Sequence, residues 1–144
     1  MSDYLETQLL NHVLRGASFT KPTAICLGLC SGVPNDAHTV TNIGELYGAD
    51  GYARWNFGNP STNGDAAWTA YPSAGSGVTE NASGITLVSS WTGVPTWVSG
   101  IFIADSPTIG AGSILFHGAL TTPKLISSSD SFVISSGNCD ISFL

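Results

Sequence analysis

Residues 84–143, GITLVSSWTGVPTWVSGIFIADSPTIGAGSILFHGALTTPKLISSSDSFVISSGNCDISF, decide the fold. Apolar runs of strand length alternate with turn clusters about every dozen residues, the rhythm of a sandwich or barrel. The runs predict strands at Gly84–Ser90, Thr96–Ala104, Ser113–Leu120, Ser131–Ser135 and Cys139–Phe143. The turns fall at Gly93-Val94-Pro95, Ser106-Pro107, Gly110-Ala111-Gly112, Thr122-Pro123 and Ser136-Gly137-Asn138. No repeat of 20–50 residues is present, which excludes a solenoid or propeller. Neither a heptad nor a glycine-triplet shaft is present.

Upstream, Thr23–Cys30 (TAICLGLC) is apolar on both parities and predicts a central strand covered on both faces. Residues 32–51 read as a loop, long enough to be functional or to hide a short element around Ile43–Tyr47. In Gly51–Gly58 (GYARWNFG) alternation predicts a half-buried strand with Trp55 and Phe57 inward and Tyr52, Arg54 and Asn56 outward. Asn59–Ala67 reads as a turn region with an Asn63-Gly64 hairpin signal. Trp68–Tyr71 reads as a short strand stopped by Pro72, and Ser73–Gly77 as a flexible link. The one convincing helix is Met1–Gly16. Asp3 is the expected N-cap with Glu6 three residues on, Leu5, Leu9 and Val13 form an apolar stripe, and Gly16 stops the helix. The stripe covers an open end of the β domain or packs against a neighbouring subunit. The expected architecture is mainly β: an antiparallel β-sandwich or partly open barrel of seven or eight strands with one N-terminal α-helix, in a single domain spanning 1–144.

Composition bounds the function. Only 10% of residues are charged, against about 25% in an average soluble domain. The surface is therefore built from neutral polar groups, which suit packing against other subunits. The net charge is −6, and the four basic residues, Arg15, Lys21, Arg54 and Lys124, are scattered, which argues against nucleic acid and anionic membranes as partners. No apolar run reaches the ~20 residues needed to span a bilayer. The acidic start lacks the basic region and apolar core of a signal peptide, so synthesis and retention in a cytoplasm are expected until something else releases the protein.

Catalytic patterns are not evident. Cys26 and Cys30 are four residues, about 13 Å, apart along a strand, too far for a disulfide or a shared zinc. They and Cys139 read as buried, inert thiols. His12, His38 and His117 form no metal-binding pair, and no metal or cofactor is expected. There is no GxSxG elbow or phosphate-binding loop. Asp105, Asp130 and Asp140 sit at strand ends, where acids cap turns. Asn81-Ala82-Ser83 is formally a glycosylation sequon. Most of the tryptophans are expected to fill the core, with Trp68 and Trp91, next to turns, as the exposed pair able to contact a sugar or a partner.

Taken together, SDYLETQLLNHVLRG at Ser2–Gly16, TAICLGLC, GYAR at Gly51–Arg54, WVSGIFIAD at Trp97–Asp105, ILFHGAL at Ile114–Leu120, Lys124 and SDSF at Ser129–Phe132 carry a resemblance. The chain resembles the small virion proteins of tailed phages and prophages often labelled tail fibre protein. It departs from them at Ser106-Pro107-Thr108 and around Trp68. The resemblance implies a bacteriophage virion structural protein without catalytic residues, located in the virion and partnered by other virion subunits, either the major capsid protein or tail proteins. Within that class, size, neutral surface and missing shaft lead to the expectation of a head decoration (cement) protein, a homo-oligomer and specifically a trimer, with Leu5, Leu9 and Val13 at the subunit interface. The alternative expectation is a tail fibre or baseplate component that binds a host-surface receptor or glycan through Trp68 and Trp91.

Overall fold

The computed structural model describes residues 1–69 and 77–142. The chain opens with α1 (Asp3–Leu14) and continues through β1 (Ile25–Cys30), a single 3-10 turn at Gly48–Asp50, β2 (Trp55–Gly58) and α2 (Pro60–Ala67). Six further strands follow: β3 (Val78–Glu80), β4 (Ile85–Val88), β5 (Thr96–Ala104), β6 (Ile114–Ile126), β7 (Phe132–Ile134) and β8 (Asp140–Ser142). One antiparallel sheet has the order β2-β1-β5-β6, and the two-stranded ribbons β3-β8 and β4-β7 complete the architecture. The fold is mainly β and antiparallel with an N-terminal helix, as the strand rhythm predicts, and the sheet does not close into a barrel.

The central strand β1 is covered on both faces. Leu27 and Leu29 join Ile85, Leu87, Val88, Trp91, Val98, Ile103 and Leu115 in the larger core. Cys30, with Phe102, Ala104 and Ile114, meets Val40 and Ile43 on the other face. Gly28 lies opposite Phe102 in the register, and a Cβ there would stand 2.3 Å from the ring. Only glycine leaves room for Phe102. Where β2 has left β1, the 32–51 loop takes over. Glu45 bridges Cys30, Leu46 N–H donates to Leu29 O, and Ser31 N–H donates to Gly44 O. This is the short element expected around Ile43–Tyr47.

All three thiols are buried and free. Burial raises the pKa of Cys26 to about 11, of Cys30 to about 12 and of Cys139 to about 11, from an ordinary 9.0. The folded state thus favours the neutral thiol. Its contribution to stability is complete below pH 9.0 and is lost as pH rises toward 11–12. The expected result is a urea midpoint that is level up to about pH 9 and falls above it. At about pH 8, iodoacetamide should label the cysteines in denaturant and spare them in the native protein, because only the thiolate reacts. Rapid native labelling of any one of them would contradict their burial.

Several local expectations are corrected. The N-cap of α1 is Ser2, not Asp3: its hydroxyl accepts the Leu5 N–H and donates to the Ile114 carbonyl, tying the helix to β6. Gly16 ends the helix at φ +70, as expected. Asn59–Ala67 is not a hairpin turn but leads into α2. The Asn59 side chain accepts the Ser61 N–H at 2.8 Å, and Pro60 occupies the first helical position. Those start signals outweigh Asn63-Gly64. In Gly51–Gly58 the facing is reversed at the start: Tyr52 and Arg54 are buried, and Trp55 and Phe57 are half-buried. β6 does not stop at Thr122-Pro123. Between the Val98–Lys124 and Gly100–Ala119 pairs, two steps along β5 match five along β6, so a bulge absorbs the turn residues. Pro123, with no N–H to donate, is tolerated because β6 is an edge strand. Trp68 makes a lone bridge to Asn81. The rest of the Trp68–Tyr71 strand, most of the Ser73–Gly77 link and Phe143 lie outside the described residues.

Candidate functional site

The densest polar constellation gathers around Arg54. Its Nε donates to Glu45 Oε1 and its Nη2 to Glu45 Oε2, both at 2.6 Å, a bidentate fork between nearly fully buried side chains. Arg54 Nη1 donates to the carbonyls of Ser106 at 2.7 Å and Ala111 at 2.9 Å, and the guanidinium carbon lies 5.2 Å from the centre of the Phe102 ring. Glu45 also accepts from the Tyr52 hydroxyl at 2.9 Å and the Gly110 N–H at 3.1 Å, and the Tyr52 oxygen accepts the Leu29 N–H. Burial alone would lower the Arg54 pKa, but the Glu45 hydrogen bond and charge outweigh it and the net shift is upward. Burial, with Glu45 nearby, pushes the Tyr52 phenol well above its ordinary value. Each partner is committed to another part of the fold, so the cluster clamps the 106–111 loop and Glu45 onto the 52–54 segment that leads into β2. A base or acid locked in this way has no open valence for a substrate.

Asn81 is a second closed hub. Its side-chain nitrogen donates to the carbonyls of Ser83 at 2.7 Å and Ser135 at 2.9 Å, and its side-chain oxygen accepts the N–H groups of Asn138 and Cys139. The amide that makes a formal sequon is wholly buried. The strand-end acids behave as expected at two positions: Asp105 accepts the Ser113 N–H at 2.6 Å and Asp130 the Ser127 N–H at 2.8 Å. His117 Nε2 sits 2.9 Å from Asp36 Oδ1, and His38 Nδ1 accepts the Asn35 N–H. A cleft of about 200 Å³ beside β5, β6 and β8 is lined by His117, Cys139 and Asp140 among others. The Cys139 thiol there is held protonated, which makes it a poor nucleophile. Among the described residues no group of three His, Cys, Asp or Glu side chains could hold a metal ion.

The two densest polar hubs, around Arg54 and Asn81, are thus closed inside the fold, while Leu10, Val13, Leu14, Tyr47, Val94 and Trp97 stand exposed on the surface. A family model described as Podophage GP4 fiber I protein gp80 matches residues 1–142. The chain belongs to this podophage fibre family. No curated protein matches the sequence. As a member of a fibre family, the protein is a virion component that associates with other virion components.

The surface of this fibre protein differs from expectation in particular residues. Leu5 is buried in its own core and Leu9 packs against that core, so of the three proposed interface residues Val13 alone is exposed, by 74%. Leu10 and Leu14 stand out beside it, exposed by 59% and 73%. Trp91 is not an exposed contact. It is only 2% accessible, because its indole donates to Val94 O at 2.9 Å and its backbone pairs with Asp130 and Ser129. Trp68 is half-buried, its ring 4.5 Å from that of Phe57. The exposed tryptophan is Trp97, at 55%, opposite Leu125 on β6. Strand parity signals it: Val98, Gly100 and Phe102 are buried, so Trp97 shares the face of the half-buried Ser99. Glu45 carried no comparable signal. Arg54 did, as one of four basic residues set in a half-buried strand.

Proposed function

We propose that the protein is a structural subunit of the podophage tail fibre apparatus, made in the bacterial cytoplasm and built into the particle without enzymatic activity of its own. The observation that carries this reading is the match to a fibre family over residues 1–142. The inward-facing polar clusters and outward-facing apolar residues support it. The head-decoration role expected from size and composition has no such family support. Quantitative mass spectrometry of purified particles, with antibody labelling in electron micrographs, tests the assignment. A handful of copies per particle, with label at the tail, is the expected result. Stoichiometry near that of the major shell protein, with label on the head, would overturn it.

Trp97 favours a second reading, in which the fibre subunit touches a host-surface glycan. An exposed indole offers a flat apolar face to a sugar ring, and Lys124 and Leu125 adjoin it across the β5–β6 pairing. Particles carrying Trp97→Ala should assemble normally and adsorb more slowly. Unchanged adsorption would remove Trp97 from the contact.

A further inference from the structure

We infer that the outer face of α1 is an interface with a second copy of this chain, in an antiparallel, two-fold pairing of the helices. Leu5 and Leu9 hold one side of α1 on the sheet. On the other side Leu10 and Leu14 stand exposed along a shallow groove also lined by Thr7, Asn11 and Arg15. Exposed leucines at i and i+4, flanking a groove, give the ridge-and-groove surface on which another helix packs.

Charge identifies the occupant. The chain carries −6 overall, so two copies repel across most of their surfaces. On α1 the charges are segregated. Asp3 and Glu6 lie in the first turn, and Arg15, one of only four basic residues, caps the last. A parallel pairing would set like charges together. An antiparallel pairing centred near residue 9 brings Leu10 of each copy close to its symmetry mate. It also lays Arg15 of one helix over Asp3 and Tyr4 of the other. The opposed helix dipoles favour the same arrangement. Because the surface is its own complement, a two-fold closes the assembly at a dimer, in place of the trimer expected from the sequence.

Sedimentation equilibrium of the full chain at micromolar concentrations reads the outcome. A concentration-dependent dimer is expected. Leu10→Glu should weaken it by about tenfold or more, with an unchanged circular dichroism spectrum, since this residue faces away from the core. Val133→Glu, at an exposed residue on β7, serves as the surface control and should leave the dimer intact. Arg15→Asp and Asp3→Arg should each dimerise poorly alone and recover on mixing. A wild-type monomer across the range, a trimer, a dimer indifferent to Leu10→Glu, or no recovery on mixing would each overturn the pairing. The inference does not rest on the fibre assignment, and particle copy number fails or succeeds independently of it.

Discussion

Arg54→Ala should destabilise the protein by about 3–5 kcal/mol, the cost of leaving one member of a buried ion pair without its partner. At this chain length that is a fall in melting temperature of roughly 10–15 °C. The substitution does more than delete a cation. It strands the Glu45 carboxylate in a nearly closed site and removes the donor shared by the Ser106 and Ala111 carbonyls. It also takes the cation off the Phe102 ring, which packs over Gly28 at the centre of the sheet. A double substitution, Glu45→Gln with Arg54→Met, should be less destabilising than Arg54→Ala alone, because no buried charge is left unpaired. Calorimetry of the three proteins settles the matter. If Arg54→Ala melts within about 3 °C of wild type, roughly 1 kcal/mol at this size, the pair is not the clamp that its geometry describes.

That cluster also shows where sequence reading stops. The spacing of apolar runs between turn clusters places the strands of residues 84–143 well: Thr96–Ala104 matches β5 at both ends, whereas the three-residue β3 at Val78–Glu80 has no such run to announce it. Period-two alternation, which carries the reading of Gly51–Gly58, mis-faces Tyr52 and Arg54 because it counts polar and charged side chains as outward. The fold instead supplies a carboxylate from a loop nine residues away, together with carbonyls more than fifty residues away. Those partners meet only through tertiary structure, so no local pattern announces them. Trp91 was misplaced for a related reason. Its glycine, proline and serine neighbours look like an exposed turn, but the indole folds back under that turn to cap Val94 O. By contrast, the start of α2 is legible in the sequence. Asn59-Pro60 is a helix start, with the Asn59 side chain accepting the Ser61 N–H, and it outweighs the Asn63-Gly64 hairpin signal inside the helix. The apolar residues of α1 follow the helical period, but which of them face the sheet depends on how the helix start is tied down: Ser2 N–H donates to Leu115 O and Asp3 N–H to Asp36 O. The Ser2 hydroxyl adds bonds to the first turn and to Ile114, and with the helix held there Leu5 is inward and Leu10 and Leu14 are outward.

Asn81→Asp should be nearly isosteric and yet strongly destabilising at neutral pH, by about 3 kcal/mol or more. One oxygen of the new carboxylate can still accept the N–H groups of Asn138 and Cys139. The other replaces the amide nitrogen and points its lone pairs at the Ser83 and Ser135 carbonyls, where two donated hydrogen bonds were. A buried negative charge facing two carbonyl oxygens disfavours ionisation, so the folded-state pKa of the introduced acid rises above its unfolded value of about 3.9. The sign of the pH dependence follows. The neutral acid can donate one hydrogen bond, so the variant approaches wild type below about pH 4 and falls behind as pH rises toward 7. Urea midpoints of both proteins from about pH 4 to pH 8 should therefore diverge with increasing pH. A stability gap that stays constant across this range would mean that the carboxylate is reached by water. In that case the hub is looser than four short hydrogen bonds from one amide imply.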